Sequence, residues 1–86
     1  MPGEILLEED WSEYDQRKMR ANRDHLIFSC EDAWEVNYLI NIIKTRFDFV
    51  SDLTIRNAVK KCCKQVKAPR SRKDFVNCIM KVLIDE

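Results

Sequence analysis

Apolar residues recur along this chain at helical spacing in three stretches, and each stretch opens at a serine. After Ser29, the residues Val36, Leu39, Ile40, Ile43 and Phe47 fall at i, i+3, i+4, i+7 and i+11. Trp34, Tyr38 and Ile42 run beside them at i, i+4 and i+8. Two adjoining stripes imply burial over a wide arc, so this stretch is expected to be the central helix. After Ser51, one face carries Ile55, Ala58, Val59, Cys62 and Val66; after Ser71, one carries Phe75, Val76, Ile79, Met80 and Leu83. Each serine is an N-cap candidate whose hydroxyl accepts from an otherwise unpaired N–H, with Asp32, Thr54 and Asp74 three residues on. The acids at 32 and 74 also suit the positive end of a helix dipole. The second of these helices should stop near Lys67, because Ala68 precedes Pro69 and is driven out of the α region.

The pattern upstream is thinner. Asp10 or Ser12 can start a weaker helix carrying Trp11, Tyr14 and Met19, which fades around Asn22 to Asp24. Leu26-Ile27-Phe28 is a short apolar run with no matching partner strand, so it reads as an extended anchor ahead of the central helix. The expectation is an all-α fold: a compact bundle of three helices plus a weaker N-terminal helix, with no β-sheet. It forms a single domain over residues 1–86, with the acidic segment 1–15 free to be flexible. The core should be built on Val36, Leu39, Ile40, Ile43, Phe47, Ile55, Val59, Val66, Phe75 and Ile79, joined by Trp34 and Phe49. Trp11 and Tyr14 are expected to clamp the first helix onto the bundle.

Composition narrows the chemistry. With hydrophobic residues at 45% of 86, a packed core is within reach, although a chain this short depends on every large apolar side chain. A single glycine excludes glycine-rich phosphate loops and the dinucleotide fingerprint. No run of apolar residues is long enough to span a membrane, so no membrane partner is expected. The first ten residues lack a basic start and a long apolar run, so no secretory leader and a cytoplasmic address are expected. Cys30, Cys62, Cys63 and Cys78 are then expected to be reduced structural thiols. Cys62 and Cys63 point about 100° apart on a helix and cannot easily share a metal, so no metal is expected.

The same survey argues against catalysis. His25 is the only histidine, and the glycine-poor backbone offers few turns that could aim bare N–H groups at a substrate. The carboxylate groups Glu8-Glu9-Asp10 and Glu31-Asp32-Glu35 lie at helix starts, where acids are common. No catalytic site and no cofactor are expected.

The neutral net charge hides a sorting of charge along the chain. Glu4, Glu8, Glu9, Asp10, Glu13 and Asp15 come before any basic residue. From Arg56 to Lys73 no acid intervenes. On the helix after Ser51, Arg56, Lys60, Lys64 and Lys67 fall within about 80° of arc, away from the apolar face. The expected contact residues are therefore Arg56, Asn57, Lys60, Lys61, Lys64 and Lys67, continued past Pro69 by Arg70, Arg72 and Lys73. The favoured use is a non-catalytic protein-interaction module. The alternative is nucleic-acid binding in a helix-turn-helix-like arrangement, with Asp48-Phe49-Val50 as the connection and Arg56 and Asn57 at the base-reading end. A third outcome is internal: the acidic head is an obvious partner for the basic stretch, and would leave little field for a ligand if folded over it.

Trp34-Glu35-Val36, followed by Tyr38 and later by Val50-Ser51, Ile55-Arg56 and Ala58-Val59, resembles a family of short bacterial proteins catalogued as domain of unknown function 3606. The resemblance covers roughly residues 27 to 63 and implies a bacterial helical domain; it carries no activity and no site residues. The chain departs from that pattern at Leu39, where the family has Trp, and at Phe49, where it has Gly.

Overall fold

Helices begin where a side chain can take up their first free N–H groups, and two of the three serine caps do so. The computed structural model describes residues 4–85; residues 1–3 and 86, part of the expected domain, lie outside the described residues. The elements in order are α1 (Glu4–Leu7), α2 (Ser12–Arg20), β1 (Ile27–Phe28), α3 (Ala33–Arg46), α4 (Asp52–Gln65), β2 (Arg70–Ser71) and α5 (Arg72–Asp85). Ser51 Oγ accepts from the Thr54 N–H at 3.2 Å and starts α4. Ser71 Oγ accepts from the Asp74 N–H at 3.0 Å at the start of α5.

The third cap differs from expectation. Ser29 does not start α3, whose N-cap is Asp32. The Ser29 N–H donates instead to Glu35 Oε1 at 3.1 Å, and its hydroxyl donates to Glu31. That keeps residues 29–31 in a loop. The Asp32 carboxylate makes no cap bond, because it pairs with Arg23 at 2.6 Å. The end of α2 is closed by backbone alone: the Asn22 N–H reaches Met19 O and the Arg23 N–H reaches Lys18 O at 2.8 Å, with Asn22 at φ 59. This is a Schellman closure, with Asn in the left-handed position that glycine usually takes.

The chain is mostly helical, but it is not free of sheet. Ile27-Phe28 pairs antiparallel with Arg70-Ser71, with Ile27 opposite Ser71 and Phe28 opposite Arg70. The partner strand escaped notice because it carries charge and hydroxyl rather than apolar residues. It lies directly after Pro69, where α4 has ended and the chain is extended. Phe28 then stacks on Phe75 at 4.5 Å between centroids.

α4 packs on α3 and α5, and α1 closes the other side against α3 and α5. The Cα radius of gyration, 12.0 Å, equals the value of about 12 Å for a native domain of this length. Leu39, Ile40, Ile43, Ile55, Val59, Phe75 and Ile79 are buried as the periodicity implies. Val36, Phe47 and Val66 are only partly covered and flank the core. Phe49 is 82% exposed, because it sits in the connection between α3 and α4, where its ring makes a T-shaped pair with Phe47. Trp11 and Tyr14 are buried as a T-shaped pair, and Trp11 Nε1 donates to Leu6 O at 2.9 Å, which holds α1 to α2.

One ionic cluster lies inside this core. Tyr14 and Lys18, one turn apart on α2, both reach Glu35 on α3. The phenol donates at 2.6 Å, and the ammonium donates at 3.0 and 3.1 Å to the two carboxylate oxygens and at 2.8 Å to Ile27 O. Burial first, and then the bond to Glu35, push the Tyr14 phenol far above its usual range.

Two substitutions test this core. Ile43→Ala, at a fully buried site, should cost about 2–5 kcal/mol in urea unfolding. Lys18→Met should cost about 3–5 kcal/mol by leaving a buried carboxylate uncompensated. Adding Glu35→Gln should recover part of that loss, and a strictly additive double variant would contradict the pairing.

Candidate partner-binding groove

The 100° step between neighbouring helical residues decides what Cys62 and Cys63 do. Cys62 faces the core with Ile55, Ala58 and Val59 and is fully buried. Cys63 turns outward beside Lys60 and is bonded to Cys30, which lies in the loop after β1. The Cα atoms of this disulfide are 6.2 Å apart. The expectation of four reduced thiols is therefore corrected: one pair is a disulfide, and only Cys62 and Cys78 are free. A separation of 33 residues carries no local signal, so only the tertiary approach of the loop to α4 could reveal the pair.

Around the disulfide lies an open groove of about 620 Å³. Val36 of α3, Val59 of α4 and the two cysteines supply its apolar surface. Arg56, Lys60 and Lys64 follow one another along α4 at intervals of four, and all three line it. Glu31 and Arg70 line it as well. Of the other expected contact residues, Asn57, Lys61, Lys67 and Lys73 are exposed outside the groove.

Arg70 and Arg72 have internal work. Arg70 is buried: its Nε donates to Val66 O at 2.7 Å and its Nη2 to Cys63 O at 3.1 Å, so a cation caps the last carbonyls of α4. Its Nη1 also faces Glu31 at 3.4 Å. Glu31 lies below the ordinary carboxyl range, held there first by its own backbone N–H and then by the Ser29 hydroxyl. Arg72 donates to Asp15 Oδ1 at 2.6 Å while its guanidinium covers the Trp11 ring at 4.6 Å, tying α5 to α2. The run of basic residues is thus divided between a surface row and two structural arginines.

Among the described residues, no acid of the head is paired with the surface row. Its carboxylates there meet Arg72 through Asp15, Arg46 through Glu9 at 4.0 Å and Ser12 through Asp10. Lys60 and Lys64 have no acidic partner among the described residues. Near the start of α4, Asp52 binds Lys44, which holds the Asp52 carboxyl below its ordinary 3.8.

Sequence reasoning missed Glu35 as a core residue and assigned it to a helix start. A signal was present, since Glu35 lies on the stripe of Leu39 and Ile42 at i, i+4 and i+7. Among the described residues, no three His, Cys, Asp or Glu side chains converge as a metal site, and no helix is long and apolar enough to cross a membrane. No family model, curated protein or solved structure matches this chain.

The division of the basic residues can be checked by unfolding. Lys60→Glu with Lys64→Glu should change stability by no more than about 0.5 kcal/mol, as expected for exposed sites, whereas Arg70→Ala and Arg72→Ala should each cost about 1–3 kcal/mol through lost charged hydrogen bonds. A pH titration checks the start of α4. The folded pKa of Asp52 lies below its unfolded value, so what the Lys44 pair contributes is present above about pH 4 and lost as pH falls through the folded pKa. Carboxyl NMR on Lys44→Met should find Asp52 risen toward 3.8.

Proposed function

We propose that this protein is a non-catalytic interaction module that docks an acidic protein segment in the groove beside α4. The observation that carries this reading is the uncovered row of Arg56, Lys60 and Lys64 beside an apolar floor, while Glu9 and Asp15 of the acidic head are engaged on Arg46 and Arg72. A groove of this make-up suits a peptide that sets one or two apolar side chains against Val36 and Val59 and meets the cations with carboxylates. The resemblance over residues 27 to 63 supports no more than a bacterial helical domain. The proposed address is the cytoplasm, where small thiols would press on the Cys30–Cys63 bond.

Nucleic acid is the second reading, favoured by the exposure of Arg56 and Asn57 near the start of α4. Against it stand the neutral net charge and the internal use of Arg70 and Arg72. A fluorescent peptide alternating Glu with Leu and Phe should bind at micromolar concentration, and an all-Glu peptide of equal length should bind more weakly. Lys60→Glu with Lys64→Glu should abolish binding of the first peptide. Duplex DNA held by four phosphate contacts would instead lose roughly 100-fold in affinity between 50 and 200 mM salt. That result, with no peptide binding, would replace the protein reading with the nucleic-acid one.

A further inference from the structure

The disulfide sits in an unusual place for a purely structural crosslink. Its sulfurs belong to the groove wall, both cysteines are half-buried rather than sealed in the core, and Lys60 and Lys64 line the same groove. Of the remaining sulfurs, Cys62 is fully buried, its thiol pushed well above the usual range by burial, and Cys78 is half-buried outside the groove, where its thiol donates to Gln65 Oε1 at 3.5 Å. A buried thiol such as Cys62 is inert, whereas sulfurs in cationic, partly open surroundings exchange readily.

We propose that the Cys30–Cys63 disulfide is a thiol-exchange site for an anionic low-molecular-weight thiol, recruited into the groove by Arg56, Lys60 and Lys64. The cations raise the local concentration of the anion and favour its thiolate form. The volume of about 620 Å³ lies in the range that takes a ligand of tripeptide size. The incoming thiolate bonds to Cys30 Sγ. The Cys30–Cys63 bond breaks, and its electron pair passes to Cys63 Sγ, which leaves as a thiolate and takes a proton from water. Cys63 is the better leaving group because Lys60 stands at i−3 from it on α4 and lines the same groove, whereas Cys30 lies in the loop after β1. A second small thiolate then attacks the small-thiol sulfur of the mixed disulfide and releases Cys30 as a thiolate. Two small thiols are oxidised to their disulfide, and the protein pair gains the two electrons. This exchange shares the groove with the docking reading but does not rest on it.

The test compares reduced glutathione, neutral 2-mercaptoethanol and cationic cysteamine on the oxidised full-length protein, with alkylation and mass spectrometry as readout. Each rate is divided by that thiol's rate on 2-hydroxyethyl disulfide, which removes intrinsic reactivity. Glutathione should then exceed cysteamine roughly tenfold, and the advantage should vanish in 0.5 M salt. It should also vanish in Lys60→Glu with Lys64→Glu and shrink in the milder Lys60→Gln with Lys64→Gln, both with wild-type circular dichroism. In Cys63→Ser the glutathione adduct formed with oxidised glutathione should map to Cys30. Equal normalised rates for the three thiols, or rates indifferent to both charge variants, would overturn the proposal. So would an oxidised preparation that lacks the Cys30–Cys63 bond. Failure of the acidic peptide to bind would sink the docking reading alone and leave these rates as expected.

Discussion

Glu35 carries a carboxylate with no exposed surface, and a charge so placed must find nearly all of its solvation within the protein. It does so from three directions. Tyr14 and Lys18 donate from α2, the Ser29 N–H donates from the loop ahead of α3, and Arg23 closes from the edge at 3.5 Å. A hydrophobic contact tolerates sliding, but four donors on two oxygens do not, so α2 has one rotation and one height on α3. Lys18 also holds Ile27 O, which fixes β1 relative to the same carboxylate. No buried side-chain nitrogen or oxygen is left without a partner among the described residues, which is the condition under which such a cluster is tolerated.

The rest of the architecture follows from that anchoring. With β1 in place, Arg70-Ser71 can pair with it, and Ser71 then stands ready to cap α5. Arg70, emerging on the groove side, turns back onto the last carbonyls of α4. The loop after β1 carries Cys30 to within bonding distance of Cys63, so the groove wall is a consequence of where β1 lies. On the opposite side, Asp15 and Trp11 receive Arg72, and the acidic head is used there. The charge sorting seen along the chain becomes a sorting in space: Asp15 and Arg72 meet on the α2 side, and Lys60 and Lys64 stand along the groove face of α4.

Two features of the surface bear on how such a domain meets other molecules. The groove beside α4 combines apolar floor and cationic rim, which gives a partner both area and orientation. A smaller apolar hollow of about 130 Å³ lies near the end of α5, beside Phe47 and the exposed Phe49. Phe49 belongs there because a connection between two helices has no third element above it to cover a ring.

How much of this was legible depended on range. Helical periodicity placed α3, α4 and α5, and Ser51 and Ser71 were readable as caps, because a helix and its cap are settled by residues within a turn of one another. The outward lysines of α4 were readable for the same reason. Ser29 failed as a cap because its hydroxyl is turned to Glu31 and its N–H is drawn to Glu35, a carboxylate held in place by α2 from another part of the chain. Arg70 and Arg72 could not be separated from the surface lysines, since only the approach of α4's end and of Asp15 gives them partners. Cys30 with Cys63, and Phe28 opposite Arg70, are likewise meetings of distant segments. The sequence by itself determined which stretches are helical and which faces are apolar or basic, because those depend on neighbours along the chain. The tertiary structure alone decided which charges are paired, which cysteines are joined and where a groove opens, because those depend on groups that become neighbours only after the chain has folded.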